Sequence, residues 1–195
     1  QFERRVADRF GVKYGIAVDC CTHAIFLSLK YRQAYGHSFA WARLPSHTYI
    51  SVPYAVIHAG IVPAFSRFKW DWYYSIQPWG VYDAAKGWRK TKLALQWPEG
   101  LYCLSFHAKK HIPIGRGGMI LTSDITAANW LRVARYDGRA GVPYRQERIT
   151  SVGWHMYMTP EQAARGLTLM DMWPNGVDIV PEVYPDLRKM PVFKS

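Results

Sequence analysis

The chain has 195 residues, a length typical of a single domain, and 49% of them are hydrophobic, which excludes a globally disordered protein. Lysine and arginine outnumber the acidic residues by 25 to 14, a net charge of +11 that favours anionic partners such as phosphates, nucleotides or nucleic acids. No uninterrupted apolar run reaches the roughly 18 residues that a membrane-spanning helix needs.

The cysteines and the first residues bear on the cellular compartment. The chain has three cysteines, and Cys20 and Cys21 are adjacent, which disfavours a disulfide framework. The charged residues Glu3, Arg4 and Arg5 do not resemble the start of a signal peptide. We therefore expect the protein in the reducing cytoplasm.

Strands and helices are predicted to alternate along the chain. Short apolar runs predict strands over residues 14–18, 41–44, 61–65, 81–84, 101–106 and 119–122. Helical spacing predicts a helix that begins after Thr22 as N-cap residue, and further helices over residues 50–59, 124–135 and 159–170. This order predicts a three-layer α/β/α fold with a mostly parallel sheet.

Two stretches interrupt this alternation. Residues 67–80 are aromatic and without periodicity, and residues 173–195 contain four prolines. We divide the chain into an α/β domain over residues 1–172 and an irregular C-terminal tail over residues 173–195. The tail is too short for a second domain, so we expect it to pack along the surface or against a partner subunit.

The carboxyl ends of four predicted strands carry or are followed by candidate site residues, at residues 19–22, 47–49, 83 and 105–110. In parallel sheets ligands bind beyond these ends, so the residues are expected on one rim. The rim would combine a helix N-terminus for an anion, an aromatic ring, a carboxylate and a lysine that can form a Schiff base with an aldehyde.

Each of these features also has an ordinary structural interpretation. Thr22 and Asp83 are suitable helix-capping residues, and a Lys-Lys pair is typical of a solvated surface. His107 and His111 imitate the spacing of a zinc-protease helix, but the glutamate base is missing, so no metal site is predicted. The positive charge with nine tryptophans and thirteen tyrosines leaves nucleic-acid binding as a less favoured alternative.

Five segments together resemble the DegT/DnrJ/EryC1/StrS group of sugar aminotransferases, which are fold-type-I enzymes dependent on pyridoxal phosphate. They are FERRVADRFGVKYGIAV, PSHTYISVPYAVIHAGIVPAF, VYDAA, SFHAKKHIPIGRGGMILTSD and MTPEQAARGL, within residues 2–170. The resemblance implies transfer of an amino group from an amino-acid donor to a nucleotide-linked keto-sugar, with pyridoxal 5'-phosphate as cofactor. It also implies a homodimer and a PLP-transferase-like large domain in shortened form, without the relatives' C-terminal domain.

The resemblance assigns roles by position. Lys110, five residues after Ser105, matches the lysine that forms the Schiff base with the cofactor. Asp83 matches the carboxylate paired with the pyridinium nitrogen, where an anion keeps the ring protonated. Ser105 and Thr22 match groups that hold the cofactor phosphate, and Tyr49 matches the aromatic residue that stacks on the ring.

Three further cofactor-site positions depart from the family pattern. Cys21 replaces a glycine of the phosphate loop, Lys86 replaces a glutamine or histidine, and His155 replaces an asparagine that reaches the neighbouring subunit's phosphate. With the shortened chain, these departures leave a catalytically degenerate scaffold of the same fold as the alternative. The aromatic residues over 70–79 and around Trp154 are predicted to need burial against a second subunit.

Overall fold

Helices and strands alternate through the computed structural model, which describes residues 1–89 and 99–194. The helices are α1 (Phe2–Phe10), α2 (Cys21–Ala34), α3 (Ser51–His58), α4 (Ile125–Ala134) and α5 (Pro160–Met172). The strands are β1 (Tyr14–Val18), β2 (Trp41–Pro45), β3 (Val62–Ser66), β4 (Tyr74–Ile76), β5 (Val81–Asp83), β6 (Leu101–Ser105) and β7 (Gly118–Thr122). Short 3-10 turns occur at Gly87–Arg89, Tyr144–Gln146, Leu187–Lys189 and Pro191–Phe193. Residue 195 of the predicted tail lies outside the described residues.

The strands form a five-stranded sheet in the order β1-β7-β6-β5-β4 and a separate parallel pair, β2-β3. Only the β5-β6 pair of the larger sheet is parallel, and its other three pairs are antiparallel. The prediction of a mostly parallel sheet is therefore wrong for this sheet. The chain passes from β4 to β5 through residues 77–80 and from β6 to β7 through residues 106–117, and neither connection contains a crossover helix, which a parallel pair requires.

The predicted three-layer α/β/α architecture is confirmed. Helices α2 and α4 pack on one face of the five-stranded sheet and bury one set of strand residues, including Ile16 and Ile120, while α3 packs against α2 and β3. Helices α1 and α5 cover the other face and bury the intervening residues, including Ala17 and Leu121. This alternation follows from the two-residue period of a strand, and it explains why β1 and β7 are almost wholly apolar. Over the described ranges, no helix is both long and apolar enough to cross a membrane.

Helix α2 begins earlier than predicted. Cys20 is its N-cap residue, with extended backbone, and the Cys20 thiol accepts a hydrogen bond from the His23 N–H. The prediction of Thr22 as N-cap is wrong, because Thr22 lies within the first helical turn. The other predicted helices and strands are confirmed to within two residues at each end.

The aromatic stretch at residues 67–80 is more regular than the sequence indicated, since it contains β4. Trp79 is fully buried within the chain, and its indole nitrogen donates a hydrogen bond to the Trp41 carbonyl. Trp154 packs against Phe26 with a ring separation of 5.3 Å. The prediction that these aromatic residues need a second subunit for their burial is therefore wrong for Trp79. Trp154 is only partly buried within the chain, so for this residue it stays a prediction.

Candidate active site

The ends of β1, β2, β5 and β6 meet at one cavity of about 360 Å³, which lies within the usual size range of small-molecule sites. Seven of the eight predicted site residues are among those that line it: Cys21, Thr22, Tyr49, Asp83, Lys86, Ser105 and Lys110. The rim predicted from the sequence therefore exists, although the main sheet is largely antiparallel. The parallel pairs β2-β3 and β5-β6 and the position of β1 are sufficient to bring these residues together.

Asp83, the last residue of β5, lies at the buried end of this cavity and is 4% exposed. One of its carboxylate oxygens accepts a hydrogen bond from the Ala85 N–H at 2.9 Å, and the other accepts one from the Tyr74 hydroxyl at 2.9 Å. The Tyr74 hydroxyl is also 2.7 Å from the Thr48 hydroxyl. Burial raises the pKa of Asp83, against the opposing effect of these hydrogen bonds and of the nearby lysine charges. The carboxylate is thus held in one orientation and would be stabilised by a cation placed beside it.

The first turn of α2 forms the opposite wall. The Thr22 hydroxyl donates a hydrogen bond to the Ser51 hydroxyl at 2.7 Å. The Cys21 thiol donates to the Cys103 carbonyl at 3.4 Å, and burial raises its pKa well above that of a free thiol. Although Cys21 stands at a position where the family pattern has glycine, its thiol is accommodated against β6. The partial positive charge at this helix N-terminus favours an anion.

Lys110 lies in the turn after β6, with only 11% of its side chain exposed. The turn is held by two hydrogen bonds, from the Lys110 N–H to the His107 carbonyl and from the His107 N–H to the Ser105 hydroxyl. The Lys110 ammonium nitrogen is 2.7 Å from a carboxylate oxygen of Glu182. Glu182 was not predicted to belong to the site, because it lies 72 residues further along the chain in a segment without recognisable periodicity.

Aromatic rings form the outer wall of the cavity. Trp70 and Tyr184 stack with ring centroids 6.0 Å apart, and Tyr49 meets Tyr184 edge to face at 6.4 Å. The Lys86 ammonium lies 4.7 Å from the Trp70 ring and 5.0 Å from the Tyr184 ring. Burial lowers the pKa of Lys86, and the nearby Glu182 carboxylate opposes that shift. Trp70 and Tyr184 were also not predicted, since nothing in their local sequence distinguishes them from core or surface aromatic residues.

A charged cluster borders the cavity at the start of α2. Asp19 accepts hydrogen bonds from His23 at one oxygen and from Arg116 at the other, both at 2.6 Å. The hydrogen bonds to Asp19 and to Cys20 raise the pKa of His23 to about 9. Burial raises the pKa of Asp19, but the bonds from His23 and Arg116 lower it by more. The ligand atoms of Asp19, Cys20 and His23 lie within 4.8 Å of one another. Because both Asp19 oxygens already face cationic partners, this cluster is better suited to an ion-pair network than to a metal ion.

Two histidines considered in the sequence lie elsewhere. His155 does not line the cavity; its Nδ1 atom is 2.9 Å from a carboxylate oxygen of Asp137, and the side chain is largely exposed. Its predicted contact with a neighbouring subunit stays a prediction. His111 is buried and its Nδ1–H donates to the Val177 carbonyl at 2.8 Å, so it connects the chain after α5 to the turn that carries Lys110.

The chain belongs to the DegT/DnrJ/EryC1/StrS aminotransferase family, whose family model matches residues 1–81 and 99–175. It is 26% identical to the spore coat polysaccharide biosynthesis protein SpsC of Bacillus subtilis, over 86% of this chain and 54% of SpsC. The chain therefore spans about half the length of this curated relative.

Solved structures of sugar aminotransferases have the same fold. Helicobacter pylori PseC, an aminotransferase involved in the biosynthesis of pseudoaminic acid, is similar with a TM-score of 0.66 and 18% identity, over 89% of this chain and 57% of PseC. The PLP-form of Spr1654 from Streptococcus pneumoniae, a sugar aminotransferase by its description, is similar with a TM-score of 0.66 and 15% identity, over 89% of this chain and 58% of Spr1654. At these identities the similarity establishes the fold of this chain.

Proposed function

We propose that this chain forms the cofactor-binding part of a pyridoxal-phosphate-dependent aminotransferase. The amino group would pass from an amino-acid donor to a keto-sugar linked to a nucleotide. One observation carries the proposal: Lys110, Asp83, Ser105 and the first turn of α2 line a single cavity. Family membership supports the reaction class, and the excess of positive charge favours a nucleotide-linked substrate.

The residues of the cavity fit this cofactor. Thr22 and Ser105 offer hydroxyls, and α2 offers its N-terminus, to a phosphate. Asp83 offers a buried carboxylate to a protonated ring nitrogen, and Tyr49 offers an aromatic face. Lys110 offers the amine for the aldehyde. Pyridoxal phosphate, when bound, supplies an aldehyde that accepts amino groups and a ring that withdraws electrons.

The chain's own residues would then do three things. Asp83, oriented by Tyr74 and the Ala85 N–H, would hold a positive charge at the ring nitrogen. The Lys110 amine would take a proton from the reacting carbon of the amino donor and deliver it to the carbon of the cofactor's former aldehyde group, as a general base and then a general acid. The cationic side chains of Lys86 and Arg116, which also line the cavity, would bind the phosphates of the nucleotide.

We propose a homodimer as the working form. The support is a loop between α4 and α5 that carries four large, exposed apolar side chains: Val142, Tyr144, Ile149 and Val152. A group of this kind is typical of a subunit interface. An isologous contact of more than about 1,600 Å² would be in the range of stable dimers. Light scattering should report about twice the chain mass of 22.5 kDa, and the substitution Tyr144→Asp with Val152→Asp should reduce it to the monomer mass.

The state of the cysteine thiols supports our proposal for the cellular compartment of the protein. The cysteines Cys20, Cys21 and Cys103 are all free. Free thiols of this number are in keeping with a reducing compartment, the cytoplasm.

A half-reaction tests the proposed function. The purified chain, loaded with pyridoxal phosphate and mixed with glutamate, should convert the cofactor to its amino form, which absorbs at shorter wavelength. Lys110→Ala should abolish this conversion, while Lys109→Ala, altering an exposed neighbour, should retain it. Conversion by Lys110→Ala at the parent rate would contradict the proposal.

A cofactor-binding but catalytically inactive scaffold is the second candidate. It is favoured by one contact, the ion pair of Lys110 with Glu182, which engages the amine that catalysis requires. The two candidates differ in the same half-reaction: a scaffold binds pyridoxal phosphate without converting it, even at saturating glutamate.

A further inference from the structure

The chain that follows α5 runs along the cavity and contributes Glu182 and Tyr184 to its lining. We call residues 176–187 the strap. One end is fixed at the Lys110 turn, where the Val177 N–H donates to the His111 carbonyl and the His111 ring donates to the Val177 carbonyl. The other end is fixed just after β2, where the Leu187 N–H donates to the Ser46 carbonyl at 2.9 Å and the Leu187 side chain is buried. The strap is therefore held on both sides of the cavity.

Between these ends the side chains of the strap alternate in direction. Glu182 and Tyr184 line the cavity, whereas Val183, which lies between them, is 96% exposed. This two-residue period is that of an extended chain, and it places the polar side chains inwards and an apolar one outwards. On an ordinary protein surface the apolar side chain would face inwards and the polar side chains would face solvent. Glu182 and Tyr184 therefore face inwards because they have partners inside the cavity.

The inward side chains contact the same groups that the cofactor would use. Glu182 is hydrogen-bonded to the Lys110 nitrogen, and the Tyr184 hydroxyl donates to the same Glu182 oxygen. The Tyr184 ring lies between Trp70 and Tyr49 and faces Lys86. Hydrogen bonds from Lys110 and Tyr184 lower the pKa of Glu182 more than burial raises it, so its carboxylate is ionised near neutral pH.

We propose that the strap is an internal ligand of the cavity, and that Glu182 and Tyr184 must leave the Lys110 side of it before pyridoxal phosphate binds there. This inference rests on the proposed function, since it takes Lys110 as the residue that meets the cofactor. If the strap has left the cavity in only a fraction of the molecules, the apparent affinity of the cavity for its ligand is reduced by that fraction. The strap would thus set the apparent affinity for the cofactor.

The test is a titration of the parent chain and of Glu182→Gln with Tyr184→Phe, using pyridoxal phosphate and following absorbance. The double variant keeps the size of both side chains but removes the carboxylate charge and the hydroxyl that hold the strap on Lys110. Because a charge-assisted hydrogen bond is lost, we expect the apparent Kd to fall about tenfold. Val183→Thr, on the exposed side of the strap, is the matched control and should bind like the parent.

Hydrogen exchange of the strap supplies a second measurement. Adding pyridoxal phosphate to the parent should accelerate amide exchange in residues 177–187, since these residues move away when the cofactor enters. Gly176→Ala should have the same effect without cofactor, because Gly176 has φ +73° and a Cβ there would lie 2.6 Å from the His111 Cβ.

The outcomes separate the two proposals. Equal cofactor affinity in the parent and the double variant, with unchanged exchange of the strap, would overturn the internal-ligand proposal and leave the proposed function intact. Absence of cofactor binding in the parent, the double variant and Gly176→Ala would overturn both. Tighter binding by the double variant, with the Val183 control like the parent, would support the strap as internal ligand.

Discussion

Gly118, the first residue of β7, lies directly against the backbone of Cys20, so that a Cβ on Gly118 would stand 2.4 Å from the Cys20 carbonyl carbon and 2.6 Å from the Cys21 nitrogen. The start of α2 can therefore lie on the sheet only because position 118 has no side chain. This close approach fixes where the N-terminus of α2 faces the cavity. It links a glycine in the strand to the proposed phosphate site.

Gly118→Ala should consequently be severely destabilising. The atoms in the way belong to the backbone and cannot rotate aside, so we expect a loss of about 3 kcal/mol or more in the free energy of unfolding. Gly117→Ala is the comparison, because its nearest neighbour is the flexible methyl end of Met158 at 2.8 Å. Urea unfolding measures both, and equal losses in the two variants would show that the Cys20 contact is not what limits position 118.

Lys110, rather than Lys109 or Lys86, should carry the cofactor. Lys109 is an exposed residue, whereas the Lys110 side chain is nearly buried in the cavity. Lys86 also reaches the cavity, but its ammonium is engaged with the rings of Trp70 and Tyr184. Borohydride reduction of the cofactor-loaded chain, followed by peptide mapping, should place the covalent adduct on Lys110. An adduct mainly on Lys86 or Lys109 would reverse the assignment.

Asp83→Asn should slow the half-reaction strongly while lowering the stability of the fold only modestly. The substitution removes the negative charge at the proposed ring-nitrogen site, so the half-reaction with glutamate should slow at least about 100-fold. One of the two donors, the Ala85 N–H or the Tyr74 hydroxyl, would then face an amide NH₂, which costs about 1–2 kcal/mol of stability. Stopped-flow absorbance gives the rate and urea unfolding the stability. Tyr74→Phe is the control: it loses one hydrogen bond to Asp83 but keeps the charge, and should slow the half-reaction far less.

How far the sequence predicted the fold follows from the range of the interactions involved. Most elements were predictable because apolar runs such as β1 are local signals, although α1 and β4 were not predicted. The antiparallel direction of β6 and β7 was open to prediction, because residues 106–117 have no helical pattern and a connection without a helix joins antiparallel strands. The direction of β4 against β5 was not, because β4 itself was not predicted from the aromatic stretch.

The residues of the candidate site likewise include some that the sequence could predict and some that it could not. Asp83 and Ser105 end their strands and Lys110 follows one, so their positions on one rim could be predicted from the carboxyl ends of the strands. Glu182 and Tyr184 could not, because the strap has neither periodicity nor a motif, and its path is set by distant contacts at His111 and Ser46. The closeness of Gly118 to Cys20 was equally hidden, since a glycine at the start of a strand does not by itself indicate which distant backbone lies against it.

Stability should fall as the pH rises from about 6.5 to 9. The hydrogen bond to Asp19 and that to Cys20 raise the pKa of His23 to about 9 in the folded chain, against an ordinary value of 6.5. The folded state therefore holds a proton on His23 that the unfolded state releases above pH 6.5. The resulting stabilisation is fully present below pH 6.5 and is lost as the pH passes 9. Since the pair is partly exposed to solvent, we expect about 1–2 kcal/mol rather than the larger value that the shift alone implies.

Urea unfolding at pH 6, 7.5 and 9 measures this effect, and His23→Gln is the control. The variant should be less stable than the parent at pH 6 and nearly equal to it at pH 9, because a neutral amide makes no ion pair with Asp19 at any pH. Burial lowers the pKa of His37 and of His111, so the titration of these two histidines lies below the window. A parent and a variant that lose stability in parallel between pH 6.5 and 9 would show that the Asp19–His23 pair is not the group responsible.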